Sequence, residues 1–85
     1  MTNLQPEIFL SELSDGDRAT VVRFTGHSSA IQRMEEMGLV LDEEIEFIQK
    51  APLGNPIEIQ IKGYLLSLRQ EEAKLVIVKK KEEKE

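Results

Sequence analysis

Ala51-Pro52-Leu53-Gly54-Asn55-Pro56-Ile57 places two prolines and a glycine between two segments that alternate apolar and polar residues. Upstream, Ile45-Glu46-Phe47 alternates before Ile48 breaks the period. Downstream, Ile57-Glu58-Ile59-Gln60-Ile61-Lys62 alternates without a fault. Alternation with period two puts successive side chains on opposite faces of a sheet, so the stretch predicts a strand, a rigid corner and a strand. Pro52 and Pro56 lack an N–H and hold φ near one value, which keeps both out of a central ladder, and Gly54 can take a positive φ.

Working outward, Gly63 interrupts the alternation and marks a tight connection to a further strand, Tyr64-Leu65-Leu66-Ser67-Leu68. Arg69 to Ala73 is polar and rich in helix formers, which suits one short turn. The continuous apolar run Leu75-Val76-Ile77-Val78 then predicts the closing strand. On the other side, Leu10-Ser11-Glu12-Leu13 predicts a helical or 3₁₀ turn ended by Asp15-Gly16. Arg18 to Phe24, β-branched at its middle, predicts the first strand. Ser29 is expected to cap a helix of about nine residues, since Gln32 stands three positions on. Ala30, Ile31, Met34 and Met37 form its apolar stripe, Gly38 suits a left-handed C-cap, and Leu39 can fold back on Met34. About five short strands and one helix after the first strand predict a mainly β fold, a small antiparallel barrel of SH3-like kind. An OB-like barrel fits less well, because its helix sits later in the strand order.

The 85 residues fit one domain with a modest core. With no cysteine there is no disulfide, thiolate metal site or cysteine nucleophile, and the cytoplasm is the expected compartment. Residues 1–10 show neither a cationic start nor a long apolar run, so neither a secretory signal nor direct membrane insertion is expected. A net charge of -5 repels phosphate backbones, which argues against nucleic acid as a partner. The lysines of Lys79-Lys80-Lys81 are followed at once by Glu82-Glu83-Lys84-Glu85. The domain is therefore expected to end at residue 79 and residues 80–85 to form a disordered charged tail.

Four pieces in order and spacing resemble the FeoA family: Leu10 to Leu13 with Gly16, Arg33-Met34-Glu35-Glu36-Met37-Gly38-Leu39, the 51–57 corner, and Gly63 with Leu68-Arg69 and Glu72-Ala73. Two departures from the family's pattern stand out. Leu41-Asp42 stands where the family usually has proline-glycine, and Asn55 replaces the more usual aspartate. The resemblance implies an SH3-like accessory of the ferrous-iron transporter FeoB, whose cytoplasmic part includes a GTP-hydrolysing domain, with no chemistry of its own. The same module resembles the C-terminal domain of DtxR-like iron-dependent repressors. That gives the alternative expectation, a metal-sensing regulatory module, although 85 residues leave no room for a winged helix and a dimerisation domain.

Among individual residues, a single histidine and no nucleophile-elbow serine argue against an enzyme. Met34, Leu41 and Leu53 are the candidate partner contacts: Met34 as adaptable apolar surface, the two leucines because they stand in turns. For Leu41 and Leu53, a core lid and an exposed contact both stand as readings. His27, Glu35 and Glu43 are the candidate ligands should a divalent ion such as ferrous iron bind. The acidic residues Glu35, Glu36, Asp42, Glu43, Glu44 and Glu46 could equally steer a basic partner or form a solvated face. Arg69 is expected to pair locally, with Glu72 or a carbonyl, rather than serve a GTPase as an arginine finger. An edge strand could accept a partner strand, and pairing of two copies is left open.

Overall fold

Alternation becomes pairing in a six-stranded antiparallel sheet of order β1-β6-β2-β3-β4-β5 among residues 5–81, which the computed structural model describes. The strands are β1 (Glu7–Phe9), β2 (Arg18–Phe24), β3 (Glu44–Lys50), β4 (Ile57–Ile61), β5 (Tyr64–Leu68) and β6 (Val76–Lys80). A 3₁₀ turn (Leu10–Glu12) precedes β2, α1 (Ser29–Glu36) joins β2 to β3, and α2 (Gln70–Ala73) joins β5 to β6. The fold is SH3-like and mainly β, as expected, with two corrections. β1 is a sixth strand, and the sheet keeps two free edges, β1 and β5, so the barrel is open.

Curvature comes from two irregularities. The β2–β6 register shifts between Val21 and Arg23, and the β3–β4 register between Phe47 and Gln49. Ile48, the residue that breaks the sequence period, is therefore the extra residue of a β-bulge, which bends the strand and increases its twist. The bent sheet closes over Val21, Ile45, Phe47, Ile59, Leu68 and Val78, with Leu10 from the 3₁₀ turn and Ile31 and Met34 from α1. Val76, Ile77 and Val78 are all buried, which explains why β6 reads as a continuous apolar run.

The strand β6 extends through Lys80, and the Lys81 N–H donates to the Arg18 carbonyl at 2.7 Å. The expected boundary at residue 79 is thus too early: Lys79 and Lys80 sit opposite Thr20 and Ala19 in the ladder, held there by backbone pairing that their polar side chains do not reveal. Residues 82–85 lie outside the described range.

Candidate docking groove and corner

Helix α1 is placed by its two ends. Ser28, not Ser29, is the N-cap: it has extended backbone, and its Oγ accepts from the Ile31 N–H at 3.3 Å. Adjacent serines can both satisfy a capping pattern, and the choice falls to the one whose backbone turns out of the preceding loop. At the C-terminus, Gly38 has φ +106, its N–H donates to the Glu35 carbonyl, and the Leu39 N–H donates to the Met34 carbonyl at 3.0 Å. This is the Schellman motif, with Met34 and Leu39 both fully buried. The Tyr64 hydroxyl of β5 donates to the Met37 carbonyl and clamps this end from outside.

The turn after the helix keeps the geometry that proline-glycine would favour. The Glu43 N–H donates to the Val40 carbonyl at 3.1 Å, and Asp42 has φ +71, as the third position of a type II turn demands. Leu41, at the second position, is 55% exposed. It forms one wall of a groove of about 710 Å³ whose other walls are Phe24, Gly26, His27 and Ser28 at the end of β2 and the start of α1, with Ile31 and Glu35 along the helix. Arg23 and Gln32 complete the rim. Its lining mixes apolar Phe24, Ile31 and Leu41 with polar Arg23, His27, Ser28, Gln32 and Glu35, a combination small binding sites use.

The 51–57 corner forms a second presented feature. The Gly54 N–H donates to the Ala51 carbonyl at 2.8 Å, the Ala51 N–H to the Pro56 carbonyl at 3.0 Å, and the Asn55–Pro56 peptide is cis. Asn55 Oδ1 accepts from the Gln70 N–H at 2.6 Å and so caps α2 from a distant loop. Leu53, at the tip, is 96% exposed. The corner is held by backbone bonds while its leucine contributes nothing to the core.

These placements sort the candidates. Leu41, His27 and Glu35 meet in the groove, whereas Leu53 does not line it. Met34 is fully buried beneath α1 and offers no surface. Glu43 points elsewhere, its carboxylate 3.4 Å from Lys62 Nζ. Arg69 reaches Glu71 at 3.9 Å rather than Glu72. Glu72 instead pairs with Arg33 of α1 and accepts from the Arg69 backbone N–H at 2.8 Å, joining the two helices through a buried carboxylate. Phe24, Ile31 and Gln32 had not been singled out as lining residues, although Ser28, Gln32 and Glu35 share one face of α1 by helical spacing.

Among the described residues no group of three or more histidine or carboxylate side chains could hold an ion, and the groove supplies only His27 and Glu35. Zinc sites take three or four protein ligands. The acidic run is also partly neutralised, since Glu43 pairs with Lys62 and Glu44 with Lys81. Among the described residues Glu35, Glu36, Asp42 and Glu46 make no ion pair, three of the four lying on α1 and the following turn. Among the described residues no helix is long and apolar enough to cross a membrane.

A Fe(2+) transport protein A/Fe(2+) transporter FeoB fusion protein of Porphyromonas gingivalis is 44% identical over 64 residues, which are 75% of this chain and 8% of the fusion protein. The solution structure of an FeoA-like protein from Clostridium acetobutylicum superposes with a TM-score of 0.86 at 33% identity, covering 96% of this chain and 95% of that one. The crystal structure of Stenotrophomonas maltophilia FeoA, described as a prokaryotic SH3 domain protein complexed with zinc, gives 0.73 at 33% identity over 84% of this chain and 88% of that one. The model of the FeoA domain matches residues 8–80, from β1 to the last residue of β6, and the chain belongs to the FeoA family.

Proposed function

We propose that this chain is a non-enzymatic cytoplasmic accessory of ferrous-iron uptake that docks on the cytoplasmic part of an FeoB-like transporter. The observation that carries the reading is the fused relative, in which a domain 44% identical to this one shares a polypeptide with the transporter. Fusion keeps two partners at high effective concentration, and separate chains must replace that tether with a binding surface. The groove beside Leu41 and the corner tip at Leu53 supply such surfaces on rigid supports. The unpaired carboxylates of Glu35, Glu36 and Asp42 favour a partner segment that carries an apolar anchor flanked by basic residues.

The test is co-purification with the transporter's purified cytoplasmic part. Leu41→Asp with Leu53→Asp should abolish recovery, and the single substitutions apportion it between groove and corner. Undiminished recovery of the folded double variant would remove both surfaces from the interface. The metal-sensing alternative gains no support from the groove, which offers two donors.

A further inference from the structure

We propose that β5 receives an extended segment of another protein in which apolar and basic residues alternate, added to the sheet as a further strand. Lys62 and Gly63 both have positive φ, +47 and +86, so a two-residue type I′ turn joins β4 to β5 with Ile61 opposite Tyr64. In that hairpin Tyr64, Leu66 and Leu68 exchange backbone hydrogen bonds with β4, while Leu65 and Ser67 turn their N–H and C=O groups away from it. Among the described residues no other backbone segment takes up those groups. Nothing on β5 blocks a neighbour, since no proline and no charge stands between Gly63 and Leu68. The opposite edge is guarded: β1 has three residues, follows Pro6 and carries Glu7 paired with Arg23.

The two faces beside the edge select the occupant. On one face Tyr64, Leu66 and Leu68 lie opposite Ile61, Ile59 and Ile57, and all of these but Tyr64 are buried. A strand laid beside that row must therefore turn apolar side chains to it. On the other face the register runs from Leu65 to Gln60 to Glu46, and from Ser67 to Glu58 to Gln49. Among the described residues Glu46 and Glu58 make no ion pair, and neither β4 nor β5 contains a base. A residue of the added strand beside Ser67 stands two strand spacings, about 9.6 Å, from Glu58. A lysine or arginine there reaches the Glu58 carboxylate across the small serine, and its stem covers Leu65, which is 57% exposed.

This pattern excludes a second copy of the chain. Its β5 would bring leucine and serine to the face that wants cations, and its β1 contains no base either. Backbone pairing at the edge supplies affinity, and the alternating side chains supply the choice of partner. The edge is separate from the groove and the corner, so its occupancy is tested apart from theirs.

The probes are three hexapeptides, acetylated and amidated, in which valine alternates with lysine, with threonine or with glutamate. Each is titrated into the full chain at low ionic strength while amide exchange is followed. The lysine peptide should bind saturably, at least about tenfold tighter than the glutamate peptide, and should slow exchange at Leu65 and Ser67. Glu58→Gln should weaken the lysine peptide about two- to fivefold and leave the threonine peptide unchanged. Leu65→Pro should abolish binding by removing an outward N–H that the ladder to β4 does not use. Absence of saturable binding overturns the proposal, as does equal affinity for the lysine and glutamate peptides. So does binding of the lysine peptide that leaves exchange at Leu65 and Ser67 unchanged, or slowing at those amides with protein concentration alone, the mark of self-pairing.

Discussion

Replacing Gly38 by alanine should destabilise the protein by about 2–3 kcal/mol, from two sources of known size. A side chain at φ +106 carries strain of about 1–2 kcal/mol, because its Cβ crowds the following carbonyl. The added Cβ would also collide with the Tyr64 hydroxyl oxygen. Tyr64 is 43% exposed and can swing outward, so the collision costs no more than the hydrogen bond to the Met37 carbonyl, about 0.5–1.5 kcal/mol. Tyr64→Phe alone should therefore cost about 1 kcal/mol. In the phenylalanine background Gly38→Ala should cost only the backbone strain, because the nearest remaining contacts, the Tyr64 ring carbon and the Ile61 methyl, lie at 3.6 Å. Urea unfolding of the four proteins gives the cycle. For a chain of this size Gly38→Ala should lower Tm by roughly 8–20 °C. Equal costs of Gly38→Ala in the two backgrounds would refute the clamp, and a cost below about 0.5 kcal/mol in wild type would refute the strain as well.

Asp42→Gly should stabilise the chain by about 0.5 kcal/mol, read as a higher urea midpoint, since glycine is at ease at φ +71 and Asp42 gives up no ion pair. Glu72→Ala should cost about 2 kcal/mol and Glu72→Gln about half that, because glutamine can still accept from the Arg69 N–H while losing the charge that faces Arg33; thermal melts of both distinguish them. Asn55→Ala should cost about 1 kcal/mol through the lost cap on Gln70, a change that hydrogen exchange in α2 would localise. Leu53→Ala should leave the melting temperature unchanged and still weaken recovery of the transporter fragment, since the side chain is 96% exposed.

What the sequence displayed was local. The alternating strands, the corner, the Gly38 cap and even the misfit of Ile48 could be read because each is a pattern over a few neighbouring residues. Strand β1 could not, since three residues are too few to show a period and its existence depends on β6, some seventy positions away. Separation along the chain, shorter but still beyond a local pattern, likewise hid the end of the last strand at Lys80, the cap that Asn55 supplies to Gln70, and the bond of Arg33 to Glu72 in place of the expected local partner of Arg69. Ser28 was missed for a different reason, because two adjacent serines compete and only the backbone decides between them.

The candidate surfaces follow the same division. Leu41 and Leu53 drew notice because each stands in a turn, but the sequence left a core lid and an exposed contact equally open, and burial alone decides that both are exposed. Phe24 and Ile31 were hidden because each also contributes to packing, so nothing in the sequence separates a groove floor from a core. A fold of this size spends nearly every apolar side chain on its one cluster. The exposed Leu41, Leu53 and Leu65 then stand out as positions where hydrophobic surface is left uncovered without benefit to stability. Leu41 lies on a type II turn, Leu53 on a hydrogen-bonded corner and Leu65 on a laddered strand, so each is displayed from a backbone that binding need not reorganise. Preorganised display of that kind lowers the entropic cost of association.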